Sequence, residues 1–485
     1  MIIGFKFGRF QILTVGVAMW LSGCAANQSN GNNVVLPNED YDGGDGTQQP
    51  TAPAPWNTLT WTTTRVDIGD GSGKAAGTQG KMVRDSGGML YYAFLKQMST
   101  DPDCSIAVFG GANALMIRYD LRVATLPLSG TTWSVETVPL ASPPSSLSPP
   151  GYSNTRYGVD ATFDNAGHMV IALAAGGSGL GSCGSSDLVL AVRNGTGSWS
   201  VSAPVTGSAD CCSPCAAPGS GQECCVSAKC VNGTDVGAWA AIARSSSGTI
   251  GVAFTDYHNF WDEDGQNFQG LEFYEGGVTG IRPWSGSGLY SALVYTGTAP
   301  IVAFTGYKSS GLNVLKRSSG TRFEPLSVAN PFAEYKIGER IQLAVAADGT
   351  VGLAFHVAEN STGQKLNQLY YCSSADGGTT WSQFAIVDIG VGGYPSLAFD
   401  NDNHPALSYY YCGGDSSCPV SADHPRLAWR DANGKWWTFD FYNEATGSAG
   451  QYTALAFDKS TNAPFVAFQD LTRGAAVVAQ GKFGN

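Results

Sequence analysis

The chain has few charged residues for its length, and acidic residues outnumber basic ones. Asp, Glu, Lys and Arg make up 14% of its 485 residues, and 39 acidic against 27 basic residues give a formal net charge of -12. A surface that binds nucleic acid needs a concentrated Lys/Arg face, and the sequence contains no such cluster. We therefore expect no nucleic-acid partner.

The sequence also has little that could span a membrane as a helix. The apolar run at 12–21 follows Lys6 and Arg9, as in a signal peptide, and it is shorter than the roughly 20 residues that a spanning helix needs. It ends in Leu-Ser-Gly-Cys24, which resembles a bacterial lipobox. The resemblance implies that residues 1–23 are removed and that Cys24 carries a lipid which binds the membrane; a buried core cysteine is the alternative.

The residues that follow Cys24 predict a location and a tether. Ala25, rather than Asp, resembles lipoproteins released to the outer membrane, so we expect an envelope protein there, facing the periplasm or the cell surface. Residues 24–56 are Asn, Gly, Asp, Gln and Pro with almost no aliphatic side chains, and they cannot bury enough apolar surface to fold. We predict a disordered tether at 24–56.

Glycine and aromatic residues are abundant, and they recur in a repeat. The chain has 63 Gly, 20 Tyr and 12 Trp and is 43% apolar, a composition typical of strands and turns. Each repeat is an alternating strand, a short turn rich in Asp, Asn, Ser and Gly, and a second apolar strand, which is the pattern of a β-hairpin. Seven segments follow it: 78–94, 157–173, 237–254, 290–304, 340–355, 392–411 and 449–468.

Most repeats continue into a third and a fourth strand, and a four-stranded unit repeated radially is a propeller blade. The seventh repeat stops after its third strand, 475–483, while 61–69 resembles the fourth strand of the fifth repeat, 381–390. We therefore predict an all-β, seven-bladed β-propeller over 57–485, monomeric, with the last blade closed by an N-terminal strand. A solenoid or paired sandwiches would leave these complementary ends unexplained.

One turn between strands carries a recognisable motif. In SSADGGTTWS, 373–382, the residues fit Ser-x-Asp-x-Gly-x-Thr-Trp, which resembles the Asp-box (BNR repeat) of sialidases and other β-propellers. The residue types suit a tight turn, and the resemblance implies a place on the rim away from an active face. We predict a structural role for Ser374, Asp376, Gly378, Thr380 and Trp381.

A sialidase-type enzyme would need more than this box. It requires an arginine cluster, a tyrosine nucleophile assisted by a glutamate, and a separate acid/base aspartate. The resemblance also implies a Phe/Tyr-Arg-Ile-Pro motif before the first box, but the nearest string, Ile281-Arg282-Pro283, lies in mid-chain and lacks the Ile between Arg and Pro. We therefore assign no catalytic residue and no cofactor other than a candidate Ca²⁺.

The long insertions follow second strands, on the face opposite the box. Long loops on a rigid scaffold usually carry binding. Asp262 and Asp264 are candidate Ca²⁺ ligands, although the distal Glu of a calcium loop is missing and a solvated acidic loop is the alternative.

A metal-like run at 400–403 recurs at other hairpin tips, which favours a turn. The candidate ligand-binding residues, which combine aromatic faces with polar groups, are Tyr257, His258, Trp261, Asp262, Asp264 and His356.

The chain has 12 cysteines, an even number that becomes odd once Cys24 is lipidated. A Gly/Pro/Ser-rich insertion at about 207–232 has no strand pattern, so we predict that disulfides staple it; a thiolate metal site or a redox Cys-x-x-C is the alternative. We expect Cys104 to pair with Cys183 and Cys412 with Cys418, which leaves Cys372 as a buried thiol. The cysteines of the insertion are Cys211, Cys212, Cys215, Cys224, Cys225 and Cys230.

Together these features predict a surface-anchored, non-catalytic propeller lipoprotein that binds a glycan, peptide or protein partner through its loop-rich face. The alternatives are an extracellular sialidase-like glycoside hydrolase and a structural envelope protein. Buried Arg, Glu and Tyr that converge on the axis would favour the enzyme. An uncharged, narrow axis would favour binding or structure.

Overall fold

The computed structural model describes most of the region predicted to fold. Side chains are described except at 98–107, 113–118, 176, 257–261, 267–269 and 280. The predicted signal peptide, Cys24, nearly all of the tether, Asp262, Asp264, Cys183, Cys418 and the cysteines of the insertion lie outside the described residues. The described residues are 52–68, 75–107, 113–128, 130–140, 158–176, 186–206, 236–261, 267–281, 283, 288–306, 311–326, 335–338, 340–412, 423–442 and 448–484.

The described strands form seven antiparallel sheets, which confirms the predicted seven-bladed β-propeller. In five blades each strand pairs with the next along the chain, and in blade 7 the N-terminal strand takes the fourth place, so a blade is a four-stranded meander whose first strand lies innermost. In blade 5 the innermost strand is divided into two pieces, and both pair with the same second strand.

The strands of the first three blades follow a single turn of 3-10 helix, Trp56–Thr58, and the N-terminal strand β1, Thr60–Ile68. Blade 1 contains β2 Ala76–Arg84, β3 Leu90–Ala107, β4 Asn113–Leu126 and β5 Ser134–Thr137; blade 2 contains β6 Asp160–Phe163, β7 Met169–Gly176, β8 Ser186–Gly195 and β9 Ser198–Val205; blade 3 contains β10 Ala238–Arg244, β11 Ile250–Trp261, β12 Asn267–Glu275 and β13 Val278–Ile281.

The other four blades repeat this order. Blade 4 contains β14 Leu289–Thr296, β15 Ala299–Thr305, β16 Leu312–Ser319 and β17 Arg322–Pro325; blade 5 contains β18 Lys336–Ile337, β19 Gln342–Val345, β20 Val351–Glu359, β21 Lys365–Ser374 and β22 Ala385–Ile389; blade 6 contains β23 Val391–Phe399, β24 Pro405–Tyr411, β25 His424–Arg430 and β26 Trp436–Asp440; blade 7 contains β27 Ala449–Phe457, β28 Pro464–Asp470, β29 Ala475–Lys482 and β1.

The second strand of each blade supplies the core between blades. At one repeated position each carries a large apolar side chain that is at most 1% exposed. Burial of such a side chain contributes about 1.5–3 kcal/mol, which offsets part of the entropic cost of ordering each of the seven blades. The residues are Phe94, Leu173, Phe254, Phe304, Phe355, Tyr409 and Phe468.

The N-terminal strand closes the ring, as predicted. β1 pairs with β29 along its whole length, from Thr60 opposite Lys482 to Ile68 opposite Ala475. Trp56, which the sequence analysis assigned to the tether, is 3% exposed and stacks on Trp429 with ring centroids 4.5 Å apart. The predicted tether is therefore packed against the propeller at its last residue, Trp56. This contact fixes the N-terminal strand to blades 6 and 7.

The blades have two unlike faces. First-to-second and third-to-fourth turns lie on one, and the blade-to-blade crossings and second-to-third connections lie on the other, which we call the loop-rich face. Two connections predicted as loops are partly strand: pairing in blade 1 continues to Ala107 opposite Asn113, and in blade 3 to Trp261 opposite Asn267. These hairpins lengthen because their backbone groups keep finding partners in the ladder.

Within the described ranges, no helix is both long and apolar enough to cross a membrane.

Candidate functional site

The residues of the predicted box form a closed turn between β21 and β22. The Asp376 carboxylate accepts hydrogen bonds from the Thr380 hydroxyl at 2.7 Å and from the Thr380 N–H at 2.8 Å, while Gly378 N donates to Ser374 Oγ at 2.7 Å. These bonds, led by the Thr380 hydroxyl, lower the pKa of Asp376. The Trp381 indole is 8% exposed and donates to Gly378 O at 3.1 Å. Every polar group of the motif serves the turn, which supports a structural role.

The carboxylates at the hairpin tips also serve turns. Asp400, Asp402 and His404 have ligand atoms within 4.8 Å of one another, as a metal site would. However, Asp400 Oδ1 accepts from the N–H groups of Asp402 and His404, at 2.9 and 2.8 Å, and Oδ2 accepts from the Trp429 indole at 2.9 Å. Asp164 makes the same bonds to the N–H groups of Ala166 and His168. The repeated geometry is that of an Asx-type turn, and it accounts for the cluster without a metal.

The feature that distinguishes the loop-rich face is a set of strained residues where the innermost strands begin. One residue from every blade except blade 2 has a positive φ, and none of them is glycine. Such a conformation costs about 1–3 kcal/mol for an ordinary residue and persists at sites where the surroundings impose it. We call this set the mouth ring: Gln79 (φ 56°), Trp239 (47°), Tyr290 (54°), Arg340 (69°), Tyr394 (54°) and Tyr452 (54°).

A β-bulge produces the strain in five of these six blades. In blade 3 the register with the second strand shifts between Ala238 and Ala241, and blades 1, 4, 6 and 7 have the same shift at the equivalent place. A bulge re-aims a side chain. The bulge therefore sets the direction of the ring residue's side chain in these five blades.

Arg340 spans the axis from blade 5 to blades 7 and 1. Its guanidinium donates to Gln79 Oε1 at 2.9 Å and, over longer distances of 3.4 and 3.5 Å, to the carbonyl oxygens of Gly80 and Thr453. It also lies 5.4 Å from the centroid of the Tyr452 ring. The bridge from Arg340 to Gln79 therefore divides the mouth of the channel into two sides.

The two sides differ. On one side Trp239 and Tyr290 meet edge to face, with centroids 4.8 Å apart, and on the other Tyr394 and Tyr452 pack at 4.5 Å. Beneath the ring a cavity of about 460 Å³ follows the axis, within the size range of small-molecule sites. Trp239 and Tyr290 line this cavity together with Gln79 and Arg340.

Few charges lie in the cavity. Lys81 Nζ is 3.2 Å from Asp160 Oδ1, and Asp160 Oδ2 accepts from Ile242 N at 2.9 Å. Asp160 is the only carboxylate among the described residues that line the cavity. Of the converging Arg, Glu and Tyr that would favour an enzyme, the described lining has two arginines, Arg244 and Arg340, and two tyrosines, Tyr290 and Tyr295, but no glutamate.

Most of the candidate residues from the sequence lie elsewhere. Tyr257, His258 and Trp261 are in strand β11 rather than in a loop, and their side chains are not among those described. The connection at 356–365, which begins at the candidate residue His356, is also largely strand, because β20 extends to Glu359 and only a tight turn around Asn360 remains. Cys104 likewise lies within β3.

His356 lies at a joint between blades. It is 5% exposed, and burial lowers its pKa to about 4, against a smaller opposing effect of its hydrogen bond to the Val391 backbone of blade 6. Its Nε2 has no hydrogen-bond partner among the described residues. The equivalent Thr255 in blade 3 donates to Gly288 O of blade 4 at 2.7 Å. In blades 3 and 5 this position therefore contacts the next blade, and His356 is far less accessible than a loop residue.

The described cysteines are few. Cys372 is a buried thiol in β21, as predicted. Cys412 is disulfide-bonded, and its pairing with Cys418 stays a prediction because Cys418 lies outside the described residues. The staples of the insertion and the bridge from Cys104 to Cys183 also stay predictions.

The mouth ring is not among the residues predicted from the sequence, although a signal for it exists. In six blades a glycine stands two positions before the ring residue, from Gly77 before Gln79 to Gly450 before Tyr452. Gly158 occupies the ring position of blade 2, where a Cβ would come within 2.8 Å of the Trp239 backbone. A search for a bulky residue two places after each repeated glycine would have found the ring.

Comparisons with known proteins give distant matches of structure only. No protein family matches the chain, and no curated protein matches it. Among solved structures, a protein of unknown function from Dyadobacter fermentans is 13% identical, with a TM-score of 0.43, and covers 87% of this chain and 99% of its own. The NanB sialidase of Streptococcus pneumoniae is 12% identical, with a TM-score of 0.43 and coverage of 86% and 70%. The Penicillium chrysogenum α-L-arabinanase, solved with arabinobiose, is 12% identical, with a TM-score of 0.46 and coverage of 87% and 98%. At TM-scores below 0.5 these likenesses say nothing about function.

Proposed function

We propose that this chain is a membrane-anchored propeller lipoprotein that binds a glycan, peptide or protein partner at its loop-rich face and does not turn it over. The mouth ring carries the proposal. Six residues keep an unfavourable backbone conformation around the axis, and four of them line one cavity. Strain of this kind clusters at ligand sites, because a binding surface needs side chains in positions that a relaxed strand does not offer.

The charges of the cavity support binding over catalysis. Glycosidases of both stereochemical classes generally use two carboxyl groups beside the scissile bond, and the sialidase type uses a tyrosine with a glutamate. The described lining offers Asp160 alone, and Lys81 pairs with it. A sialidase-like hydrolase remains the second candidate, since Arg340 lies over Tyr452 at the axis.

A glycan array probed with the purified full chain in detergent tests the proposal. A fluorogenic sialoside assay on the same preparation tests the second candidate. We expect binding of at least one array glycan and no turnover. Turnover that follows the protein through purification, and is lost in Tyr290→Phe or Tyr452→Phe, would show an enzyme instead.

The anchor needs a separate test, because Cys24 lies outside the described residues. We expect radiolabelled palmitate to enter the wild-type chain and to be absent from Cys24→Ser, which should also leave the membrane fraction. Equal labelling of both chains would contradict the lipid anchor.

A further inference from the structure

We propose that the cavity beneath the mouth ring binds an uncharged saccharide, with a sugar ring held against Trp239 and Tyr290. This inference rests on the proposed function, for which it names the ligand class and the side of the channel. Three observations carry it: the cavity is one-sided, its cations are already engaged, and its wall combines aromatic faces with hydrogen-bonding groups.

The cavity lies mainly on the side of blades 1 to 5. Of its lining residues only Ser396, Leu397 and Thr453 belong to blades 6 and 7. Tyr394 and Tyr452 have ring positions equivalent to that of Tyr290 but do not line the cavity. They pack against each other instead, with ring centroids 4.5 Å apart. A ligand on the axis therefore meets Trp239 and Tyr290, and not the second aromatic pair.

Each cation in the lining has a partner within the protein. Arg340 donates to Gln79 Oε1 at 2.9 Å, and Lys81 lies 3.2 Å from Asp160. Arg244 donates to Asp164 O at 2.9 Å. An anionic ligand that paired with Lys81 would compete with Asp160, whereas an uncharged ligand can use the remaining hydrogen-bonding capacity of the wall and leave that pair intact. The engaged cations therefore favour an uncharged ligand.

The remaining groups of the wall match a sugar. A sugar ring presents an apolar C–H face and an edge of hydroxyl groups. Trp239 and Tyr290 supply aromatic surface, while the Gln79 amide, Gln342 and the Asp160 carboxylate supply donors and acceptors close by. Peptides bind mostly to sheet edges or extended grooves, and a cavity that follows the axis offers neither.

A pair of matched variants tests the proposal. Tyr290 and Tyr394 both have φ of 54°, both are half-buried, and both lie within a bulge, but only Tyr290 lines the cavity. Asn tolerates this backbone conformation, so Tyr290→Asn and Tyr394→Asn remove the ring without adding backbone strain. The probe is the strongest neutral oligosaccharide found on the array, titrated by calorimetry into the full chain.

We expect Tyr290→Asn to weaken binding about tenfold or more, since the loss of one aromatic contact with the sugar changes affinity by about this factor. We expect Tyr394→Asn to change the affinity less than about threefold. Tyr290→Phe, which keeps the ring face, should bind like wild type. If Tyr290→Asn does not fold, Tyr290→Gly gives the same truncation, because glycine adopts this φ freely.

The outcomes separate this inference from the proposed function. A bound glycan whose affinity changes equally in the two Asn variants, or in neither, overturns the cavity site and leaves binding at the loop-rich face standing. Stronger binding of sialylated than of neutral glycans overturns the uncharged ligand. Binding of a protein or peptide with no glycan bound overturns the saccharide, and the proposed function survives. No binding of any partner defeats both.

Discussion

Truncation of Tyr394 to glycine should leave the protein more stable than truncation to alanine. At φ of 54° an alanine keeps the clash of its Cβ with the following carbonyl, which costs about 1–2 kcal/mol, and a glycine does not. Glycine loses about 0.5–1 kcal/mol through its greater freedom in the unfolded chain. Both variants lose the Tyr452 contact at 4.5 Å, so that loss cancels. The difference should be about 0.5–1 kcal/mol in favour of glycine.

Urea unfolding of the two variants measures this difference directly. Ala398→Gly is the control in the same strand, because Ala398 has no positive φ and is half-buried. There we expect the ordinary order, with glycine less stable than alanine by about 0.5–1 kcal/mol. If alanine were the more stable residue at 394 as well, the mouth ring would not be strained, and strain would no longer point to a site.

Three other changes test separate parts of the structure. Asp376→Ala should lower the urea midpoint of unfolding, because the Asp376 carboxylate closes its turn. The same variant should leave glycan binding unchanged, and a loss of binding would place the binding site on the face opposite the loop-rich face. His356→Gln should flatten the pH dependence of stability. With a folded pKa of about 4, His356 stabilises the protein fully above its unfolded pKa of about 6.5, and this contribution is lost as the pH falls toward 4. An unchanged acid profile in the variant would contradict the burial of His356 as a neutral group. Trp56→Ala should cost about 3–5 kcal/mol by removing a buried aromatic side chain, and a cost below about 1 kcal/mol would show that the N-terminal segment is not fixed to blades 6 and 7.

The blades could be predicted from the sequence because each satisfies the same local rules. The hairpin period, the turn aspartates such as Asp458 and the second-strand aromatics such as Phe468 repeat in every unit or nearly so. Closure was predictable because β1 and β29 complete each other. The long-range pairing of β1 with β29 was therefore predictable from the complementary ends of the sequence.

The candidate site was not predictable from the same signals. Alternation reports which residues are buried, but it does not report a positive φ at a non-glycine residue such as Tyr290 or Arg340. Polar and aromatic residues in a long insertion look accessible, yet β20 carries His356 into the joint between blades. Local pattern thus located the loop-rich face, while the residues at its centre depend on how seven innermost strands meet.

A crystal structure of the full chain with the strongest neutral oligosaccharide from the array tests the central claim most directly. The account predicts a sugar ring against Trp239 and Tyr290, with hydroxyl groups near Gln79 and the pair of Lys81 and Asp160 still intact. A saccharide bound between blades or on the hairpin tips, with the cavity beneath the mouth ring unchanged, would contradict it.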